Sequence, residues 1–140
     1  MEEIRSLPAR PTAEWRRRRA RDEAAVAAGT LDPAQAYAAQ LYPDSMIAST
    51  DGVLAAYEGE VGGAAAGRAD ADLLAAVERV VVALNAVNEE HHGAAYETEE
   101  RELLCDHVDA VLVAAGVDVT GLAARQGIGR HEITDRWRDW

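Results

Sequence analysis

Apolar side chains recur along this chain at three- and four-residue spacing, and no segment alternates apolar with polar positions as a half-buried strand does. The pattern therefore predicts helices. Pro8 and Pro11 keep the first dozen residues extended, and Thr12 is placed to cap a helix through EWRRRRARDEAAVAA that Gly29 stops. Its apolar positions are mostly alanine, so residues 1–28 read as a basic arm or helix only loosely docked on the rest. Asp32 and Pro33 start a short helix ending before Pro43, with Tyr37 and Leu41 as its burying face.

The next stripe, Met46, Ile47, Thr50, Val53, Leu54, Tyr57 and Val61, predicts a helix that tolerates Gly52 at a cost of about 1 kcal/mol relative to alanine. A flexible GGAAAG connection at 62–67 follows. Asp70 or Asp72 then opens the strongest helix, carrying Leu73, Leu74, Val77, Val80, Val81, Leu84 and Val87 to an end near His92 and Gly93. Thr98 caps another, with Leu103, Leu104, Val108, Val111 and Leu112, which Gly116 terminates. These two helices are expected to be antiparallel neighbours across a loop of about five residues. Thr120 caps a short helix, and after a turn at 127–129 a last helix runs to Trp140. The expected fold is all-α: a small antiparallel bundle of about five helices with a C-terminal helix-turn-helix-like hairpin.

Composition sharpens this picture. A chain of 140 residues is one domain's worth, and 49% apolar content is too high for a disordered acidic chain. All 14 bases are arginine and 30 residues are alanine, a bias expected of a GC-rich bacterial genome. Alanine inflates the apolar fraction, so the expected core is thin. The formal charge of -11 is unevenly spread: +2 over residues 1–28, -14 over 29–119 and +1 over 120–140. Residues 29–140 thus read as a single acidic α-helical domain that repels nucleic acid everywhere except at the arginine-rich termini. A single cysteine, Cys105, makes no internal disulfide, and the first residues lack an apolar leader, so a reducing cytosol is the expected compartment. No stretch approaches the roughly 18 apolar residues of a membrane helix.

The densest polar cluster spans residues 85–107, where Asn88 and His91 continue the apolar stripe of Val77, Val81 and Leu84. A site is expected there. Glu89 and His92 have the Glu-x-x-His spacing that puts both on one helical face for a metal, with Glu99 and Cys105 as further candidate ligands. The simpler reading is an acidic helix end with His91 and His92 beside its last carbonyls. Cys105 has no basic neighbour in sequence and reads as an inert thiol. His107, between Leu103 and Val111, reads as a buried histidine with one hydrogen-bond partner. There is no nucleophile elbow, phosphate loop or Cys-x-x-Cys pair, and no cofactor is implied.

LAARQGIGRHEI, residues 122–133, resembles the helix-turn-helix motif of bacterial regulators in Leu122, Ala123, Gly127, Ile128 and Ile133. That resemblance implies DNA binding, with Arg130 at the start of a recognition helix and Arg125 available for a phosphate. It departs from the pattern at Glu132, Asp135, Gln126 and Arg136. The DNA reading requires Arg130 exposed at a helix start, and Trp137 buried against the bundle with Arg130 pinned to an acid contradicts it. The run WRRRRAR at 15–21 is expected to dock on the protein's own acidic middle or stay solvated.

Size, acidity and the lack of a catalytic set together lead to a cytosolic protein-binding module, such as an immunity-type inhibitor of a basic bacterial toxin. The expected contact acids are Glu89, Glu90, Glu97, Glu99, Glu100 and Glu102, with Tyr96 as an aromatic anchor. DNA binding through Arg125 and Arg130 is the alternative. A metal site at Glu89, His92, Glu99 and Cys105 is the third reading.

Overall fold

The computed structural model describes residues 7–62 and 69–140. They form six α-helices: α1 (Pro11–Ala27), α2 (Ala38–Leu41), α3 (Asp44–Gly62), α4 (Asp70–Glu90), α5 (Thr98–Ala114) and α6 (Val119–Arg125). Single 3-10 turns occur at Pro33–Gln35 and Arg130–Glu132, and no strand occurs among the described residues. The expected flexible connection lies, apart from Gly62, outside them. No single described helix is long and apolar enough to cross a membrane.

Two long helices, α3 and α4, pack most extensively and form the spine of the bundle. The stripe predicted for α3 is the one it buries, with Val53 only partly covered and Glu58 added. The spine differs from the expected α4/α5 pairing, because α5 packs instead on α1, α3 and α6. At the end of α4 the Asn88 Oδ1 accepts from the Ala95 backbone N–H at 2.9 Å, holding the return turn closed. His92 and Gly93 take positive φ within that turn, at 60° and 73°.

Far from being peripheral, α1 places Trp15 at 0% exposure in the core. There it stacks on Tyr42 at 5.4 Å and lies tilted against Tyr96 at 6.4 Å. The α2 segment buries a different face from the expected one. Tyr37 and Leu41 are 51% and 54% exposed, whereas Ala38 and Tyr42 are buried. The cause is local: Asp32 and Pro33 support only a 3-10 turn, and Asp22 of α1 accepts from the Ala38 N–H at 3.0 Å. That bond pins the start of α2 and shifts the i, i+4 burying pair by one residue.

Helix caps shift in the same way. Glu97 rather than Thr98 is the N-cap of α5, forming a capping box with Glu100, and Asp118 rather than Thr120 caps α6 through the Gly121 N–H. Gly29 and Gly116, at φ 75° and 88°, follow the ends of α1 and α5, as the sequence predicts. The last expected helix does not form. After Gly127 the chain makes one 3-10 turn, buries Ile133 and Thr134, and runs to Trp140 along the bundle. Asn85 holds that segment, donating from Nδ2 to the Trp137 carbonyl at 2.7 Å and accepting from the Asp139 N–H at 2.9 Å.

Candidate functional site

The polar cluster at 85–107 separates into structural and exposed groups once its partners are known. Asn85 and Asn88 hold the C-terminal segment and the return turn, which is why polar residues replace apolar ones on that stripe of α4. His91 links two helix ends: its Nδ1 lies 3.0 Å from the Val87 carbonyl of α4 and its Nε2 3.1 Å from the Ser45 hydroxyl at the start of α3.

The seven expected contact residues part company here. Glu89, Glu90, Glu97 and Glu102 are exposed at the end of the bundle where α4 finishes and α5 begins. None of these four has an arginine partner among the described residues. Glu99 is also exposed but meets Arg18 of α1 at 2.5 Å. Glu100 is 6% exposed, because its carboxylate turns back to accept from the Glu97 N–H at 3.3 Å in the capping box. Tyr96 is 5% exposed and is no surface anchor. Its hydroxyl lies 2.6 Å from that of Thr50, and its ring meets Trp140 edge-on at 5.4 Å. Burial, partly opposed by the Thr50 hydrogen bond, pushes its phenol up to about 12.

The expected metal ligands are not brought together. Helix α4 ends at Glu90, so His92 lies beyond the C-cap with positive φ and does not share a helical face with Glu89. Glu99 is turned to Arg18, and the Cys105 thiol is 3.5 Å from the Thr134 hydroxyl. Burial pushes that thiol up, against the Thr134 hydrogen bond. Among the described residues no three His, Cys, Asp or Glu side chains are grouped to hold a metal ion.

The DNA-binding expectation meets a similar correction. Arg130 donates through Nε and Nη2 to both oxygens of Asp109, at 2.7 and 2.6 Å, and starts a single 3-10 turn rather than a recognition helix. Arg125 grips both oxygens of Asp70, at 2.6 and 3.0 Å. Both guanidiniums thereby serve to tie α6 and the segment after it to the bundle.

The arginine run of α1 docks on the protein's own acids. Arg19 meets Asp44 at 2.8 Å, Arg16 meets Asp51 at 3.7 Å, and Arg18 adds the Tyr42 hydroxyl and ring to its contact with Glu99. Just ahead of this run lies a partly buried network, which includes His107 with a hydrogen-bond partner, as the sequence predicts, and whose acids and arginine the sequence did not reveal. Arg10 binds both oxygens of Glu58, at 2.8 and 2.9 Å, and His107 Nε2 lies 3.0 Å from Glu58 Oε2. Asp51 accepts from Arg10 at 3.2 Å and from the Thr12 hydroxyl at 2.7 Å. Burial alone would raise the Glu58 carboxyl, but Arg10 and His107 together hold it below the ordinary range. The available signal was an acid three residues before Val61 and four after Leu54, on the buried stripe.

No protein-family model, no curated protein and no solved structure matches this chain.

Proposed function

We propose that this chain is an acidic protein-binding module that captures a basic protein in a reducing cytosol, in the manner of an immunity-type inhibitor of a basic bacterial toxin. One observation carries the reading: Glu89, Glu90, Glu97 and Glu102 stand exposed at one end of the bundle without arginine partners among the described residues. The arginines of α1 that could have neutralised this end are engaged by Glu14, Asp44, Asp51 and Glu99. A net charge of -11 then leaves an uncompensated field that steers a basic partner and disfavours acidic ones. The bidentate pairing of Arg125 and Arg130 with acids further favours a protein partner over a phosphate backbone.

The test is purification of the tagged chain from its own host, under nuclease treatment and at moderate salt. A stoichiometric basic protein is expected to remain bound. Recovery of the chain alone, or only with copies of itself, contradicts the reading.

A further inference from the structure

We infer that the groove between α3 and α4 seats an amphipathic helix of the basic partner. This inference rests on the protein-binding reading above and specifies where the apolar part of that contact lies.

The groove encloses about 630 Å³ along the outer side of the two spine helices. Glu60 of α3 pairs with Arg79 of α4 at one end, and Glu90 lines the other, so the groove opens onto the acidic end of the bundle. Between them small residues, Gly52 and Ala56 from α3 and Ala83 and Ala86 from α4, stand over an apolar floor that includes the buried Tyr57, Val80 and Val87. Gly52 has no internal packing reason to lack a side chain, since an added Cβ would meet nothing within 4 Å. A mid-helix glycine is unfavourable relative to alanine, and here it deepens an open channel rather than a closed contact. Beside the channel, Val82 is 49% exposed, four residues from Ala86 on the same face of α4.

These dimensions suit a helix. From Ser49 to Glu60 the lining of α3 extends about 17 Å, three turns of an occupant. Glycine and alanine on the rims let a third helix approach the two others closely and set its apolar side chains on the floor between them. Charge selects the partner's sign. Glu89 and Glu90 at the open end carry no arginine partner among the described residues, while Arg79 at the far end is already paired. A second copy of this chain would bring another -11 to the same surface.

The experiment titrates the full isotope-labelled chain with a synthetic peptide of about four helical turns, leucine on one face and lysine elsewhere, followed by NMR. Amide shifts at Gly52, Ala56, Ala83 and Ala86 are expected. The decisive variant is Ala56→Glu with Ala86→Glu, both at exposed positions. It adds negative charge while filling the channel, so a purely electrostatic contact tightens and a groove contact weakens, by about tenfold or more. Val82→Glu, also exposed, provides the same test at the rim should the double variant unfold. Shifts confined to residues 97–102, no binding at about 1 mM peptide, or equal or tighter binding by the filled variants overturns the inference. So does a wild-type dimer that the filled variants dissociate, which would assign the groove to a second copy.

Capture of the natural partner separates this inference from the reading beneath it. If the filled variants keep the partner and charge reversal at Glu89 and Glu90 releases it, the groove fails alone. If the wild-type chain captures no basic protein, the protein-binding reading fails with it.

Discussion

Arg10 and Glu58 form a two-pronged ion pair, Nε to Oε2 at 2.8 Å and Nη2 to Oε1 at 2.9 Å, that fastens the start of α1 to the C-terminal part of α3. Glu58 is 6% exposed and Arg10 keeps 32% of its side-chain surface in water. Removing the carboxylate with Glu58→Ala leaves the guanidinium and His107 without their shared acceptor. The expected cost is about 2–3 kcal/mol, below the range for a fully buried pair because Arg10 is partly solvated. Urea unfolding with an unchanged m-value checks it, and a midpoint equal to wild type contradicts it.

The same pair sets an acid limit on stability. The folded Glu58 carboxyl lies below its ordinary value, so its contribution is fully present above about pH 4.3 and is lost as pH falls through the lower, folded value. Asp51 adds to this in the same direction: burial opposes its ionisation, but Thr12 and Arg10 hold it below the usual range. Urea midpoints measured from pH 6 down to about pH 3 are expected to fall more steeply for wild type than for Glu58→Gln. Parallel curves contradict the assignment.

Trp15 is the largest side chain of the core and comes from the arginine-rich helix. Trp15→Ala is expected to cost about 3–5 kcal/mol, enough to unfold much of a marginal domain. Trp15→Phe is expected to cost less, because the buried indole N–H has no hydrogen-bond partner among the described residues to lose. Thermal unfolding of the two variants distinguishes a core helix from a loosely attached arm, for which both changes are nearly silent.

The fold class and the buried faces of α3 and α4 were legible in the sequence because long, strongly periodic helices announce which side they bury. The role of α1 was not. Its single tryptophan among alanines and arginines gives a weak apolar pattern, and only the folded structure shows Tyr42 and Tyr96 gathered around it. Long-range partners were equally hidden. Arg130 and Arg125 looked available because Asp109 and Asp70 lie 21 and 55 residues away. Glu89, Glu90, Glu97 and Glu102 are exposed, whereas Tyr96 and Glu100 are drawn inward by an aromatic contact and a capping box.

Cys105 provides a chemical check on the packing of the C-terminal segment. Burial raises its thiol, and Thr134 covers it from the segment that Asn85 holds. Iodoacetamide at neutral pH is expected to modify the folded chain about tenfold more slowly than the urea-unfolded chain. Asn85→Ala, which frees that segment, is expected to narrow the difference. Equal rates in the folded and unfolded wild type contradict this packing of Cys105.

In the function proposed above, the exposed acids at the junction of α4 and α5 recognise a basic protein. The most direct measurement compares partner capture by the wild-type chain and by the triple variant Glu89→Lys, Glu90→Lys, Glu102→Lys, with thermal unfolding followed alongside. Capture is expected to be lost while stability stays within about 0.5 kcal/mol, as is usual for exposed positions. Undiminished capture by the charge-reversed chain would contradict it.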